Sequence, residues 1–290
     1  MSTGRKTSSA ERAMTLDAVF ARLRATAFLA IFAVVLPGAS CEVVKPSVKA
    51  VSDVPSAGKF PHGLLGRLLE KVVTDGLVDY AAVSVDEALL EEYLAELARV
   101  SPESHPHLFP TEPDRLAYWI NAHNACALRG VLRFNRPGNL KAIAHRFDSE
   151  TTYVVGGKDL SLNAMTALAY RRFTDARIHF ALVSARRGGP PLAKEPWEAA
   201  DLDTRLDAAG RAFLADPHNV DWKPPSLKAG LSRIVLDFRA EFEREVPSTV
   251  SGDSRLISSL NRFRGQRDKI NAIEVYPIPL DERLNDPANR

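Results

Sequence analysis

Apolar residues recur at helical spacing in the first half of the chain. Residues 60–74 follow the i, i+3, i+4 pattern of an amphipathic helix, and Asp75-Gly76 is a typical stop signal. A capping box that starts at Ser84 predicts a second helix. Thr111 begins a third predicted helix, which runs to about Phe134.

The second half alternates between β-prone and helical segments. Two β-prone runs, 151–155 and 158–160, flank Gly156-Gly157 and predict a hairpin. The apolar run Ile178–Val183 predicts an interior strand, and a further strand is predicted near Ile234–Phe238. The remaining predictions are helices over about 162–172, 202–213, 240–245 and 255–264, and an extended segment over 273–278. The order predicts a mixed α/β (α+β) fold, a single domain with a helix-rich N-terminal half packed on a small mixed sheet.

The N-terminus has the order of residues that is typical of a secretory signal. Residues 25–36 form a short apolar run behind Arg22 and Arg24, and small residues follow it up to Cys41. The run is shorter than the roughly 20 apolar residues of a permanent membrane helix. We therefore interpret residues 1–41 as a signal peptide, with translation starting at Met1 or Met14, and expect a secreted, periplasmic or membrane-anchored protein.

Gly38-Ala39-Ser40-Cys41 resembles a bacterial lipoprotein box, in which the cysteine is acylated. Gly38 and Ser40 equally suit an ordinary signal-peptidase site, so lipidation of Cys41 and plain secretion both remain open. Residues 42–59, rich in Val, Pro, Ser and Lys, predict a flexible tether, and residues 60–290 form the predicted domain.

Charge and cysteine content exclude several classes of protein. The 38 basic and 36 acidic residues give a net charge of +2, and residues 1–40 contribute +3, so the remainder carries −1. Such a balance does not favour nucleic-acid binding. Membrane contact is expected only through a lipid anchor or an uncleaved signal, and the sequence indicates no particular protein partner. Cys126 is the only other cysteine, so no disulfide framework is predicted.

Three polar side chains lie on predicted buried faces of the third helix. Asn121, His123 and Asn124 fall among apolar residues on a helical projection, and Trp119 lies beside His123. Each buried polar group needs a partner. They either bond loop backbone and hold neighbouring segments in place or form the wall of a pocket.

A candidate nucleophile and two candidate bases occur in the same half of the chain. His179 lies on the predicted strand and Ser184 near its end, but residues five apart in a regular strand point to opposite faces. A nucleophilic Ser184 would therefore take its base from elsewhere, and His123 is the candidate. Alternatively, His179 is a core histidine bonded to a carbonyl group.

The loop after the predicted strand is the expected ligand site. Arg186 and Arg187 would favour an anionic group, and Gly188 and Gly189 allow close approach of backbone. Solvated arginines on a turn are the alternative. No phosphate-binding glycine motif and no metal-binding motif is present, so neither a cofactor nor a metal is predicted.

Several ordered motifs resemble the domain of unknown function 547 family. They span roughly Phe60 to Asn285 and comprise Val78-Asp79-Tyr80, the helix Tyr118–Ala125, the hairpin Val154–Lys158 with Leu160-Ser161-Leu162, Arg177–Val183 followed by Pro190-Pro191-Leu192, and Val275-Tyr276-Pro277 to Leu284-Asn285. The resemblance implies the fold and, because bacterial members are often exported, agrees with the N-terminus. It implies no reaction.

The chain departs from this family at three positions. Family members commonly have a tyrosine in place of His123, and cysteines in place of Ser184 and Gly189. A thiol-dependent role therefore cannot be carried over, because a serine needs far more activation than a thiolate and glycine has no side chain.

Two functional hypotheses follow. In the first, an exported or lipid-anchored envelope protein uses His179, Ser184 and His123 for hydrolysis or acyl transfer on a small anionic or peptide-like substrate. In the second, it is a non-catalytic binding or scaffolding domain of the envelope that has lost the family's loop cysteines.

Overall fold

The computed structural model describes residues 42–50 and 58–289, which belong to one compact unit. The helices are α1 (Gly63–Val72), α2 (Tyr80–Val85), α3 (Glu87–Arg99), α4 (Glu112–Arg133), α5 (Leu162–Phe173), α6 (Leu202–Ala215), α7 (Arg233–Asp237), α8 (Arg239–Phe242) and α9 (Asp253–Leu260). The strands are β1 (Glu42–Val44), β2 (Val73–Thr74), β3 (Leu77–Val78), β4 (Thr151–Val155), β5 (Lys158–Ser161), β6 (Val220–Asp221), β7 (Lys228–Ser232) and β8 (Glu274–Ile278). The predicted signal peptide, Cys41 and part of the predicted tether lie outside the described residues.

The predicted mixed α/β class is confirmed, with the strands divided among small sheets. Strand β4 pairs in parallel with β1 and antiparallel with β5, and β7 pairs antiparallel with β6 and in parallel with β8. Strands β2 and β3 form a separate hairpin. Two hydrophobic cores result, a larger one around α4 and a smaller one around β7 and α9.

Helix α4 runs through the larger core and begins where the sequence predicts. Thr111 and Asp114 form a reciprocal capping box, in which the Thr111 side chain accepts from the Asp114 N–H and the Asp114 carboxylate accepts from the Thr111 N–H. Most of its side chains are buried, including Asn121, His123 and Asn124. The predicted burial of these polar groups is thus confirmed.

The predicted strand Ile178–Val183 is wrong. Ala176–Phe180 form a 3-10 helix capped by Asp175, and an irregular turn follows it. The run is apolar because it separates the two cores: Ile178 packs in the larger one and Phe180 in the smaller. A short buried apolar segment has the same sequence pattern whether or not it pairs with a strand.

The predicted strand Ile234–Phe238 is also wrong, because helix α7 covers it and the strand β7 precedes it. Glycine in mid-strand weakens a β prediction, but Gly230 is required here. A Cβ at this position would lie 2.9 Å from the Tyr276 ring and 3.0 Å from Ile278 of the neighbouring strand.

Two smaller predictions are corrected. The predicted second helix is instead two helices, because α2 is capped by Asp79 and α3 begins after Asp86. Ser84 is not a cap: its hydroxyl donates within α2 to Tyr80 O (3.0 Å). The predicted tether begins as strand β1 rather than as free chain. Within the described part of the chain, no helix is both long and apolar enough to cross a membrane.

Candidate functional site

The two asparagines of α4 bond backbone rather than a cavity. Asn124 donates from Nδ2 to Ala181 O (3.0 Å) and accepts at Oδ1 from the Val183 N–H (2.9 Å). Asn121 makes the same pair of bonds with the peptide groups of Trp197 (2.8 and 2.9 Å). The gap beside them has about 0 Å³ of room for water. Of the two alternatives for these side chains, the structural one therefore holds.

His123 and His179 are both buried, and each is occupied by a partner. His123 Nδ1 lies 3.3 Å from Asn124 Oδ1. His179 Nε2 is bonded to the Glu241 carboxylate, and its ring stacks on Phe238 with centroids 3.7 Å apart. Neither histidine is hydrogen-bonded to Ser184 in the described structure. The predicted catalytic group is therefore not assembled.

Ser184 packs against Gly189 instead of against a base. Its Oγ is buried without a hydrogen-bond partner among the described atoms, and a Cβ on Gly189 would collide with it. The same hypothetical Cβ would lie 3.5 Å from Ser184 Cβ. Trp119 also contributes no partner to this group, because its Nε1 is buried and forms no hydrogen bond with any described residue.

Arg186, which the sequence predicts as a ligand-binding residue, is held inside the protein. Only 5% of it is exposed. It makes two bonds with the Asp148 carboxylate (3.1 and 2.7 Å) and one with Glu282 (2.6 Å). Two carboxylates neutralise the guanidinium, so Arg186 clamps three segments together and has little charge to offer an anion.

The loop with Arg186 and Gly189 forms a ladder with the C-terminal segment. Asn285 N–H donates to Ala185 O (3.0 Å), Arg187 N–H to Arg283 O (2.8 Å) and Gly188 N–H to Asp281 O (3.0 Å). Residue 188 must be a glycine because the loop and the C-terminal segment lie so close together: a Cβ there would lie 2.7 Å from Asp281 N. The ladder fixes one wall of a cleft.

That cleft has a volume of about 790 Å³. Its walls are the loop 186–191, the turn at Gly76, residues 212–221 at the end of α6 and beyond, and the segment Tyr276–Asn285. Prolines from three of these segments line it, namely Pro190, Pro191, Pro217, Pro277 and Pro279. The cleft lies where the sequence predicted a ligand site, but Trp119, Asn121, His123, Asn124, His179 and Ser184 are outside its lining.

Several charged groups of the cleft are already bound to a neighbouring side chain. Asp281 binds Arg283 (2.6 Å) and Asp216 binds His218 (2.8 Å). Arg187 is different: among the described residues no carboxylate forms an ion pair with it, and its Nη1 is buried without a partner. Arg187 is therefore the cation that this cleft can offer to a ligand.

The C-terminal wall was missed as part of the site. Asn285 accepts at Oδ1 from the Tyr80 hydroxyl (2.7 Å), while its buried Nδ2 has no partner in the described structure. No spacing pattern in the sequence indicates that Asn285 lies next to residues 186–189. The available signal was the family motif at Leu284-Asn285, which indicated the fold but no role.

Comparison with known proteins supports the family that the motifs indicated. Residues 109–214 match the model of a family described as "Protein of unknown function, DUF547", which is the family that the motifs indicated. The matched part runs from the residues before α4 to the end of α6 and contains the loop 186–191. No curated protein and no solved structure matches the chain.

We predict that acid destabilises the protein through its buried histidines. Burial lowers the pKa of His123 from 6.5 to about 4, although its bond to Asn124 opposes this shift, and burial likewise lowers the pKa of His62 to about 4. The unfolded chain therefore binds more protons between pH 6.5 and 4, so stability present above pH 6.5 is lost as the pH falls. Urea unfolding should give about 2 kcal/mol less stability per histidine at pH 5 than at pH 7.

The variant His123→Gln should remove part of this loss, whereas His218→Gln, which changes an exposed histidine, should leave it unchanged. An identical pH dependence in the wild type and in His123→Gln would contradict the prediction.

We also predict that the double variant Ser184→Cys/Gly189→Cys forms a disulfide. The Cβ separation of 3.5 Å is within the range for a disulfide. Closing so short a loop should raise the free energy of unfolding of the oxidised form by about 2 kcal/mol over the reduced form. Thiol titration and urea unfolding with and without reductant measure both effects. Ser184→Cys alone is the control, and a double variant that keeps both thiols free in oxidant would contradict the geometry.

Proposed function

We propose that this protein is exported, held at the cell envelope by a lipid on Cys41, and that it binds a small peptide-like ligand carrying an anionic group without transforming it. The observation that carries the binding part is the cleft of about 790 Å³, in which Arg187 has no carboxylate partner among the described residues.

The shape and lining of the cleft support a peptide-like ligand. Clefts of several hundred cubic ångströms that combine apolar walls with a few polar groups are typical ligand sites. Prolines supply apolar surface here together with side chains such as Phe213 and Leu280. The backbone of the loop 186–191 and the unpaired Arg187 are among the polar groups. A guanidinium that lacks a carboxylate partner is suited to binding a carboxylate.

The positions of the polar side chains favour binding over catalysis. Asn121 and Asn124 are occupied by backbone, His123 by Asn124, and His179 by Glu241. The unbonded Ser184 Oγ is the one feature that favours hydrolysis or acyl transfer. Without a base to accept its proton, a serine hydroxyl is a weak nucleophile.

Export and anchoring rest on the N-terminal sequence. The basic residues, the short apolar run and the small residues before Cys41 follow the order of a secretory signal, and Gly38-Ala39-Ser40-Cys41 resembles a lipoprotein box. Plain secretion is the competing outcome.

The cleft is tested with a mixed library of tripeptides that have free carboxylates. We expect equilibrium dialysis against the full-chain protein to retain a subset of them, and mass spectrometry to recover these unchanged. Arg187→Gln should reduce their retention about tenfold, because a charged hydrogen bond is lost. Arg211→Gln removes an equal charge from α6 outside the cleft lining and should have no effect. Shortened peptides would favour the enzyme hypothesis, and equal retention by all variants would contradict the proposed cleft.

The anchor is tested by radioactive palmitate labelling in a bacterial host that processes lipoproteins. We expect the full chain to incorporate label and to remain with the membranes, and Cys41→Ser to lose the label. Cys126→Ser is the control, because this cysteine is buried inside α4. Release of unlabelled wild-type protein into the medium or periplasm would support plain secretion instead.

A further inference from the structure

Strand β1 begins at the residue that follows Cys41. Glu42, Val43 and Val44 pair with Thr151, Thr152 and Tyr153 of β4. Consecutive Cα atoms are about 3.8 Å apart, so an acyl group on Cys41 would be attached one residue from the sheet. The domain would then have no free tether between itself and a lipid anchor.

Several contacts hold strand β1, which follows Cys41, in place. Glu42 forms an ion pair with Arg133 at the end of α4, and Val44 is buried in the larger core. The first residue of β1 is thus bound both to a strand and to a helix. Its position on the domain surface is therefore fixed.

Exposed basic residues lie at and after the end of α4 and in the chain that leads into β4, the two elements that contact Glu42. This basic face consists of Arg133, Arg136, Lys141 and Arg146. Arg146 lies over the ring of Phe134, 5.2 Å from its centroid, and begins the turn that leads directly into β4. Arg136 follows the end of α4 by three residues.

Two acidic groups next to this face are paired with arginines, and a third lies beside a histidine. Glu42 binds Arg133, Glu150 lies 3.5 Å from His145, and Asp148 binds the buried Arg186. Arg136 and Arg146 form no ion pair with any described residue. Their positive charge is therefore available to an external anionic surface.

We infer that the domain lies directly on the membrane, with the basic face against anionic lipid headgroups. This inference rests on the proposed lipid anchor at Cys41. An acylated residue lies in the membrane interface, and a one-residue connection brings the neighbouring surface of the domain to the headgroups. Basic residues near such a surface are attracted by anionic lipids. The cleft would thereby be held at a fixed distance from the membrane.

The orientation is tested with dye-labelled, lipidated full-chain protein in vesicles of phosphatidylcholine and phosphatidylglycerol. The dye is attached at Arg136→Cys or, as the control, at Arg211→Cys on α6, since native Cys126 is buried. A spin-labelled lipid in the headgroup region should strongly quench the dye at position 136 and leave the dye at 211 almost unaffected. Equal quenching at both positions, or at neither, would overturn the inference.

The charge contribution is tested without the anchor, in full-chain protein that carries Cys41→Ser. We expect co-sedimentation with phosphatidylglycerol vesicles, relative to phosphatidylcholine vesicles, to be about 30-fold weaker in Arg136→Gln/Arg146→Gln than in the parent, because two basic residues are lost. Arg211→Gln/Arg267→Gln removes the same charge elsewhere and should bind like the parent. The apolar run 25–36 is the same in all of these proteins, so equal losses in the two double variants would overturn the inference.

These outcomes are separable from those of the proposed function. Absence of palmitate on Cys41 would remove the anchor, whatever the vesicles show. A labelled protein without face-specific quenching would keep the anchor and refute only the orientation. Thermal unfolding of each variant checks that the fold is intact.

Discussion

The carboxamide of Asn124 is the contact on which the arrangement around the cleft depends. The segment Ile178–Val183 crosses between the two cores as a 3-10 turn and irregular chain, so its peptide groups cannot all be paired within regular structure. A buried peptide group without a partner is costly. Asn124 supplies a donor to Ala181 O and an acceptor to the Val183 N–H, and thereby ties the segment to α4.

The exit of this segment determines where the cleft forms. Beyond Val183, Ala185 has a left-handed backbone (φ 58°), which turns the chain toward the C-terminal segment. Arg186 then binds Asp148 and Glu282, two carboxylates from distant parts of the sequence. The polar side chains that the sequence predicts to be catalytic or ligand-binding consequently hold segments together. Backbone groups and Arg187 contribute polar surface to the cleft.

Sequence reasoning predicts the local elements well where periodicity and caps agree. Helix α4, with its Thr111 capping box, and the hairpin of β4 and β5 are such cases. It fails at Ile178–Val183, where burial in the tertiary structure alone explains the apolar pattern. It also fails at β7, where Gly230 weakens the strand pattern but allows β8 to pack closely. The loop of the cleft was predicted because strand ends and glycines favour ligand sites. The C-terminal segment beside this loop was not predicted, because Asp281 and Asn285 meet the loop through backbone pairing with residues about a hundred positions away in the sequence.

The same backbone pairing connects the cleft to the surface beside β1. The segment 138–140, which follows α4, bonds the C-terminal chain through Leu140 N–H to Glu282 O (2.8 Å) and Leu284 N–H to Gly138 O (3.1 Å). The other side of that chain pairs with the loop at Arg186. Three segments therefore form a continuous link from the end of α4 to the cleft wall. If β1 emerges directly from a lipid anchor as inferred, this link sets the height and direction of the cleft above the membrane, which a flexible tether would leave undefined.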